Sequence, residues 1–403
     1  MTERTHPLTI LCVATFEKGA EFLQECRRQG CSVLLLTTEA LRDAPGWPRE
    51  AIDEIFAIPV GISRDDLLKG VSHLTRSRAI DRVVALDDFD VETAALLREH
   101  LRIPGMGETT ARYFRDKLAM RVRAYDHGVL VPPFVGLFND QAIEAYLEAV
   151  PGPWLVKPRG EAGAVGIRKA HTRDEVWQIA DALGDMRAFS LLEQFVPGDI
   201  YHVDAIVWNR QVVFSTSHRY GSPPWTVAHQ GGIFSTSTLD RHTEDAQVLD
   251  ALTRRLLDTL GLVRGVTHTE FIRAHADGRF HFLETSARVG GAFIVDVIDA
   301  ATGVNLWREW ARLEIAGEEG RYEVSSHRAG YAGLVLSLAR QEHPDTSAYD
   351  DPEIVRRIDL PYHAGLIVAS DSPDIVQARL DAYATRFLED FYATAPVPDK
   401  AMH

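Results

Sequence analysis

The sequence predicts an α/β domain with a parallel sheet, followed by α+β units and a smaller unit at the C-terminal end. In the first hundred residues, short apolar runs typical of buried strands alternate with segments of helical periodicity. Beyond residue 105, short β-like segments follow one another with fewer helices between them, which favours an α+β arrangement. The 403-residue length allows several packed units.

The first predicted unit, residues 1–105, begins with a βαβ motif. Residues 8–13 and 31–37 are apolar runs that predict buried strands, and residues 17–28 between them predict a helix. Gly19 stands alone after the first strand, with no G-x-G-x-x-G pattern. A glycine-rich turn for a dinucleotide is therefore not supported, and an oxidoreductase of that kind is disfavoured.

The acidic run Asp87-Asp88-Phe89-Asp90 follows a further predicted strand at 83–86 and precedes a predicted helix at 91–101. Parallel sheets bind ligands at the C-terminal ends of their strands, so the run is a possible ligand site. Asp90 is equally placed to be the N-cap of the helix. We favour the cap, because no partner residue is visible in the sequence.

Proline and glycine residues at 104–107 mark the first boundary between units. The predicted units are residues 1–105, 106–195, 196–324 and 325–403. Strands are predicted beyond the first boundary at residues 154–158, 166–170, 190–195, 201–208, 211–217, 332–336 and 363–369, and helices at 109–127, 173–183 and 374–390.

The composition argues against several classes of protein. Lys and Arg number 43 against 58 Asp and Glu, a net charge of −15, so a surface that binds nucleic acid is not expected. The apolar run at residues 8–14 is too short for a signal sequence or a membrane span. Three cysteines cannot form a disulfide framework for a chain of this length, so we expect a cytoplasmic protein.

Two glutamates are predicted to face each other across a β-hairpin. A three-residue loop at 276–278, with Gly278 in its left-handed position, places Glu270 opposite Glu284. Like charges at paired positions destabilise a sheet, so the pair predicts a cation between the carboxylates. Mg²⁺ is the simplest choice because it prefers oxygen ligands. The alternative is that both glutamates lie on a solvated face.

Polar and flexible residues follow the second glutamate directly. Ser286 offers a hydroxyl, Arg288 a guanidinium, and Gly290 and Gly291 a flexible backbone. An arginine fork recognises phosphoryl or carboxylate oxygens. A surface arginine followed by a turn is the alternative.

A lysine and a loop of small residues indicate phosphate binding further upstream. Residues 154–158 predict a strand that carries Lys157 near its end, and residues 159–166 form a glycine-rich loop whose backbone amides suit phosphates. The loop lacks the P-loop pattern and a strand follows it, so it is predicted to be a hairpin flap. An ordinary hairpin connection is the alternative.

Two weaker signals come from a helix and from the end of a strand. Lys117 lies in the predicted helix at 109–127. In Glu-Gln-Phe-Val-Pro-Gly at 193–198, the backbone between Gln194 and Val196 offers a donor and an acceptor for an adenine edge. The alternatives are an exposed helical lysine and a strand that runs into a Pro-Gly turn.

The connection between these elements holds the candidate substrate residues. Arg219, His229 and Gln230 lie there in a loop-rich stretch that contains Pro-Pro-Trp. Arg219 is suited to holding a carboxylate, and the alternative is an ordinary surface charge.

The order of the elements resembles the ATP-grasp superfamily. A helix lysine, a strand lysine, a glycine-rich flap, Glu-x-Phe-Val-x-Gly, paired strand glutamates and an arginine occur in sequence over residues 8–291. The segment from residue 325 resembles the lid subdomain of biotin carboxylases and L-amino acid ligases. The resemblance implies a pre-ATP-grasp α/β domain at 1–105, a small subdomain with the flap at 106–195, a catalytic subdomain at 196–324 and a lid at 325–403.

The resemblance also implies roles for particular residues. Those expected to contact ATP are Lys117, Lys157, Gly160, Gly163, Gly166, Glu193, Gln194, Phe195, Val196 and His202. Those expected to bind the metal are Glu270, Glu284 and Ser286, while Arg288 would stabilise the acyl phosphate together with Lys157. The candidate substrate residues are Arg219, His229, Gln230, Gly290 and Gly291.

Two positions depart from the family pattern. Ser286 stands where the family usually has an asparagine whose amide oxygen coordinates metal, which implies a weaker second Mg²⁺ site. Ile200 stands where a glutamate often contacts the nucleotide. Asp199 faces the opposite side of the strand and is no direct substitute.

The function implied is that of an ATP-dependent carboxylate–amine ligase that joins small molecules, such as an amino acid and a related acid, through an acyl phosphate. ATP and Mg²⁺, or Mn²⁺ in its place, are the expected cofactors, and a homodimer is the expected assembly. Two other classes stay open. One is a biotin-carboxylase-like enzyme that uses bicarbonate, and the other is a nucleotide-binding regulatory protein without turnover, motivated by Ser286 and Ile200.

Overall fold

Four parallel strands form the first sheet of the computed structural model, which describes residues 7–318 and 320–394, apart from the side chains of residues 228–230. The strands are β1 (Thr9–Val13), β2 (Ser32–Thr38), β3 (Glu54–Ile58) and β4 (Arg82–Ala85), in the order β3-β2-β1-β4. The accompanying helices are α1 (Ala20–Arg28), α2 (Arg64–Leu74) and α3 (Val91–Leu101). The predicted parallel α/β arrangement of this part of the chain is confirmed.

The order of this sheet brings the C-terminal ends of β1 and β4 together. There the buried carboxylate of Asp90 accepts hydrogen bonds from the backbone N–H and the hydroxyl of Thr15, at 2.8 and 2.9 Å. The prediction that Asp90 caps α3 is wrong: it occupies the N-cap position, but its side chain makes no capping bond because Thr15 holds it. Asp87 caps the preceding turn through the N–H of Phe89.

A four-stranded antiparallel sheet follows. Its strands are β5 (Phe134–Gly136), β6 (Trp154–Pro158), β7 (Arg168–Ala170) and β8 (Ser190–Gln194), in the order β5-β8-β6-β7. The helices of this region are α4 (Glu108–Arg112), α5 (Lys117–Asp126), α6 (Asp140–Ala149) and α7 (Arg173–Leu183). The single helix predicted at 109–127 is therefore wrong. It is two helices, because Asp116 caps a new one by accepting from the N–H groups of Leu118 and Ala119.

An eight-stranded antiparallel sheet makes up most of the remaining structure. Its strands are β9 (Gly198–Trp208), β10 (Gln211–Tyr220), β11 (Phe234–Thr238), β12 (Gly265–Ala274), β13 (Phe280–Ser286), β14 (Tyr331–Leu338), β15 (Ile354–Leu360) and β16 (His363–Ser370). They lie in the order β13-β12-β9-β10-β11-β14-β16-β15. The helices are α8 (Pro224–Gln230), α9 (Glu244–Leu260), α10 (Ile294–Thr302), α11 (Leu306–Ala316) and α12 (Pro373–Asp390).

One apolar core joins the first sheet to the eight-stranded sheet. Residues of β1, β2 and α1 pack with α11 and with Ile206, Trp208 and Phe214 of β9 and β10. Cys12, Cys26 and Cys31 lie buried in this core and form no disulfide, and burial raises the pKa of Cys12 and Cys26. These thiols are therefore poor nucleophiles that serve as small apolar residues. None of the described helices is long and apolar enough to cross a bilayer.

Candidate functional site

A cavity of about 340 Å³ lies where the four-stranded sheet faces the β13 end of the eight-stranded sheet. It is lined by most of the residues that the sequence singles out. The predicted residues at the cavity are Lys117, Lys157, Gly163, Glu193, Gln194, Phe195, Val196, Glu270, Glu284, Ser286, Arg288 and Gly291. Residues far apart in the chain thus meet in one place.

Glu270 and Glu284 are paired across β12 and β13, as the hairpin predicts. The predicted turn is wrong, however, since Ala274 rather than His275 pairs with Arg279 and the loop has one residue more. The register is restored because a bulge at Leu283 interrupts the ladder between Phe271 and Glu270. Gly278 has the expected positive φ of 70°.

Each glutamate has a different partner. The Nζ atom of Lys117 lies 2.9 Å from Oε2 of Glu284. Burial alone would raise the pKa of Glu284, but the ammonium of Lys117, with Lys157 and Arg121 beyond it, holds the pKa well below its ordinary value. Oε1 of Glu270 accepts a hydrogen bond from the hydroxyl of Tyr220 at 3.0 Å. Both carboxylates therefore have fixed surroundings.

The donor set of this corner fits a hard divalent cation. Two paired carboxylates and the hydroxyl of Ser286 supply only oxygen, which Mg²⁺ prefers over nitrogen or sulfur. Repulsion between adjacent carboxylates would be relieved by a cation between them. Lys117 performs part of that neutralisation in this structure.

A buried charge cluster supports the second lysine. Lys157, on β6, pairs with Oε1 of Glu193, and Arg121 of α5 donates from Nε and Nη2 to Oε2 of the same carboxylate, at 3.0 and 2.7 Å. Burial opposes ionisation of Glu193, but the two cations lower its pKa. The carboxylate that the resemblance assigned to adenine contacts thus holds Lys157 and Arg121.

The glycine-rich loop between β6 and β7 is tied down at its base. Arg115 donates to the carbonyl of Gly160, and the ammonium of Lys117 donates to that of Glu161. Gly163, Ala164 and Gly166 adopt positive φ angles of 66, 62 and 71°. A strand follows the loop and pairs with β6, so the predicted hairpin is confirmed, while Gly160 and Gly166 lie outside the cavity lining.

The segment after β8 leaves one backbone donor available. The N–H groups of Gln194 and Phe195 donate to the carbonyls of Pro133 and Pro153, both at 2.9 Å. The N–H of Val196 donates to no other described residue. This residue borders the cavity, where Leu283 and Ile272 supply an apolar wall.

His202 lies in a buried polar network behind Glu270 rather than at the cavity. Its Nδ1 lies 2.7 Å from Asp204 and its Nε2 lies 2.8 Å from the hydroxyl of Thr236. The other oxygen of Asp204 lies 2.9 Å from Nδ1 of His268. Burial lowers the pKa of His202. Burial acts the same way on His268, but Asp204 outweighs it and raises its pKa to about 9.

His218 stacks on His202 with ring centroids 4.7 Å apart. Burial lowers its pKa to about 3, so the ring is neutral. The backbone of Thr216 lies near the ring and raises that pKa slightly. Neither ring nitrogen reaches hydrogen-bond geometry with any described group.

The candidate substrate residues are scattered. Arg219 is half exposed, forms an ion pair with Asp199 at 3.1 Å and does not line the cavity. Gly290 packs against Asp204 and His268, whereas Gly291 reaches the cavity. His229 and Gln230 belong to α8, but their side chains lie outside the described residues.

Several cavity residues were not predicted. They are Arg115, Arg121, Tyr220 and Trp225, and Arg115 forms a buried ion pair at 2.6 Å with Asp88 of the acidic run that the sequence offered as a possible ligand site. The sequence could have indicated Tyr220, because it lies two residues after His218 and therefore on the same face of β10. The others depend on contacts between distant segments.

Comparison with known proteins shows similarity to ligases. No family model matches the chain. It is 24% identical over 242 residues to an L-arginine-specific L-amino acid ligase of Bacillus subtilis, a match covering 58% of each protein. It is 25% identical over 256 residues to a D-alanine–D-alanine ligase of Cupriavidus taiwanensis, covering 60% of this chain and 76% of that protein. The chain thus spans less than two thirds of the first relative.

Solved structures match over nearly the whole chain. An L-amino acid ligase from Bacillus licheniformis has a TM-score of 0.75 at 17% identity, covering 98% of this chain and 100% of the other. An N5-carboxyaminoimidazole synthetase from Staphylococcus aureus, complexed with ADP, has a TM-score of 0.71 at 15% identity, covering 95% and 98%.

A biotin carboxylase domain dimer of Hydrogenobacter thermophilus 2-oxoglutarate carboxylase, solved with MgADP and bicarbonate, has a TM-score of 0.69 at 16% identity, covering 96% of this chain and 91% of that one. The predicted resemblance is confirmed at the level of the fold, because the chain has the fold of these ATP-grasp proteins. Its relatives in sequence are ligases.

Proposed function

We propose that the protein is an ATP-dependent ligase that joins a small carboxylic acid to an amine, with release of ADP and phosphate. The observation that carries the proposal is the meeting of paired Glu270 and Glu284 with Lys117, Lys157 and Arg288 around one cavity. Oxygen ligands beside three cations suit a nucleotide polyphosphate with its divalent ion. The ADP and MgADP complexes of two structural neighbours agree with this assignment.

The residues of the site would act mainly by holding charge and position. Glu270, Glu284 and Ser286 would hold Mg²⁺, which when bound neutralises charge on the phosphates. Lys117, which contacts Glu284 in this structure, would be free to bind a phosphate oxygen once Mg²⁺ neutralised that carboxylate. Lys157, held by Glu193, keeps its place beside the flap.

Two regions would bind the nucleotide around the phosphates. The Val196 N–H donates to the adenine edge, and Leu283 and Ile272 contact the ring. Ile200 is buried at this wall, so the ribose lacks a carboxylate partner there. The backbone of the flap, with Gly163 at the cavity, closes over the phosphates.

The chemistry needs little from the protein beyond alignment. The carboxylate oxygen of the acid attacks the γ-phosphorus of ATP and ADP leaves, which gives an acyl phosphate. The amine nitrogen then attacks the acyl carbon, loses a proton, and phosphate departs as the C–O bond breaks. Arg288 stabilises the charge that develops on the acyl oxygen in the second step.

The first experiment measures nucleotide release from Mg·ATP in the presence of paired amino acids and small acids. Substrate-dependent ADP and phosphate is the expected result, whereas AMP and pyrophosphate would contradict the acyl-phosphate route. ADP release that depends on bicarbonate alone would favour the carboxylase-like alternative, and ATP binding without turnover on any pair would favour the regulatory one.

A matched pair of variants tests the metal assignment. Glu284→Ala is expected to abolish ATP turnover with the fold intact, because it removes one of the two paired carboxylates. Asp277→Ala, at the exposed loop of the same hairpin, is expected to turn over normally. Normal turnover by a well-folded Glu284→Ala protein would refute the assignment.

A further inference from the structure

The two oxygens of Glu270 have unequal surroundings. Oε1 accepts the hydrogen bond from Tyr220 at 3.0 Å, and Nε2 of His268 lies 3.6 Å from the same oxygen. Oε2 has no hydrogen-bond partner among the described residues. One oxygen of the carboxylate is therefore anchored on the sheet, and the other is left for the cavity.

The phenol of Tyr220 is held firmly. Its residue is 5% exposed, and its ring lies between His202 and Phe234, with centroids 4.7 and 5.6 Å away. A carboxylate oxygen only accepts, so the hydroxyl is the donor in its bond to Glu270.

His268 is oriented by the network behind it. Its Nδ1 is engaged with Asp204 at 2.9 Å, which turns Nε2 towards the Tyr220 hydroxyl, 3.4 Å away, and towards Oε1 of Glu270, 3.6 Å away. Asp204 is fully buried and is held from its other side by His202. Of these two groups, the Tyr220 hydroxyl is the one within hydrogen-bond distance of Oε1.

We propose that Tyr220 is a positioning residue for the metal-binding carboxylate, because its hydroxyl fixes Oε1 of Glu270 and directs Oε2 towards the paired Glu284. Without this anchor, repulsion from Glu284 across the strand pair would turn the Glu270 side chain away. Neighbours that orient metal ligands in this way commonly raise metal affinity. The proposal deepens the proposed function and rests on it for the identity of the metal site.

The test uses Mn²⁺ as a probe, because its binding is observed directly by electron paramagnetic resonance, with and without ADP. Tyr220→Phe keeps the ring and is expected to raise the dissociation constant for Mn²⁺ about tenfold. Tyr349→Phe is the matched control. Its buried hydroxyl also donates to a carboxylate, that of Asp390 at 2.8 Å, and its Mn²⁺ affinity should equal that of the unaltered protein.

A double-variant comparison separates positioning from general damage. In a Glu270→Gln background, Tyr220→Phe is expected to cause no further loss of Mn²⁺ affinity, because the anchored carboxylate is gone. A second loss of equal size would show that Tyr220 acts elsewhere and would overturn the proposal. If Tyr220→Phe fails to fold, Phe234→Leu loosens the same phenol, and an unchanged Mn²⁺ affinity there would overturn it too.

The outcomes also distinguish the two levels of inference. Equal Mn²⁺ affinity of folded Tyr220→Phe and the unaltered protein would overturn the positioning role alone. Absence of Mn²⁺ binding by the unaltered protein, with or without ADP, would overturn the metal site and the positioning role together. If turnover is found, Tyr220→Phe should raise the Mg²⁺ concentration for half-maximal rate while the rate at saturating Mg²⁺ stays near normal.

Discussion

Replacing Arg121 by methionine is expected to destabilise the protein strongly, because the buried carboxylate of Glu193 loses one of its two cations. The side chains of Arg121 and Glu193 are 1% and 2% exposed. Two charge-assisted hydrogen bonds, at 3.0 and 2.7 Å, join them. Water cannot easily replace either bond.

The magnitude follows from these contacts. Breaking a buried ion pair from one side costs about 3–5 kcal/mol. Arg121→Met is expected near the lower end, since Lys157 still neutralises Glu193, and Glu193→Gln near the upper end, since two cations lose their partner. The double variant leaves only Lys157, which borders the cavity and can reach solvent. Its cost should fall short of the sum by about 2 kcal/mol.

The shortfall is the coupling energy between Arg121 and Glu193. Urea unfolding of the unaltered protein, the two single variants and the double variant, followed by tryptophan fluorescence, measures it. A surface pair is the control: Arg173 and Glu144 are joined at 2.8 Å but are 45% and 47% exposed. The cycle of Arg173→Met and Glu144→Gln should give a coupling below about 0.5 kcal/mol. If the coupling energy between Arg121 and Glu193 is as small as that of the surface pair, burial does not strengthen the ion pair and the prediction is refuted.

Three further predictions concern pH, packing and the site lysine. Burial, with Asp87 adding to it, raises the pKa of Asp90 to about 6 from an unfolded value of 3.8. The protonated carboxyl therefore favours the folded state at low pH, and the free energy of unfolding should fall by up to about 3 kcal/mol as pH rises from 4 to 6. Asp90→Asn should remove this fall, which unfolding at several pH values measures. Gly290→Ala places a methyl 3.0 Å from Oδ1 of Asp204 and should lower stability by about 1–3 kcal/mol in thermal melts. An unchanged melting temperature would contradict this and would mean that the loop moves to make room. Lys157→Ala should lower kcat/KM for ATP about a hundredfold in steady-state assays while the melting temperature changes less than in Arg121→Met, and an unaltered kcat/KM would contradict the phosphate role.

Local patterns predicted the elements whose ends are marked in the sequence. Helices α3 and α7 have the bounds expected from their apolar spacing, and Thr172 caps α7 as its side chain allows. β3 was not predicted; it is an edge strand without a fully buried residue, so it lacks the signal of a buried strand. Periodicity succeeds where an element is long and its ends carry side-chain signals.

The pairing of Glu270 with Glu284 was predicted correctly only because two deviations from the assumed hairpin cancel. The loop is one residue longer than assumed, which alone would have put Glu270 out of line with Glu284, and the bulge at Leu283 restores the pairing. A bulge leaves no clear mark in a single sequence, since it depends on how both strands pack. The register of such hairpins is therefore less predictable than their existence.

The contacts that complete the site join residues far apart in the chain. Arg121 is 72 residues from Glu193, and Tyr220 is 50 residues from Glu270. Neither pair shares a helix turn or neighbouring strand positions, so periodicity cannot connect them. Only the folded arrangement of the sheets brings these side chains together.

The continuity of the eight-stranded sheet limits how the chain can be shortened. β14 pairs with β11 along Phe234–Ser237, so β14, β16 and β15 extend the sheet that carries the paired glutamates. A fragment ending near residue 325 would retain every residue of the candidate site yet expose the backbone of β11 as an open edge prone to intermolecular pairing. Fragments of this protein should therefore end before β9. For a chain that ends near residue 325, a separate peptide with β14, β15 and β16 would complete the eight-stranded sheet.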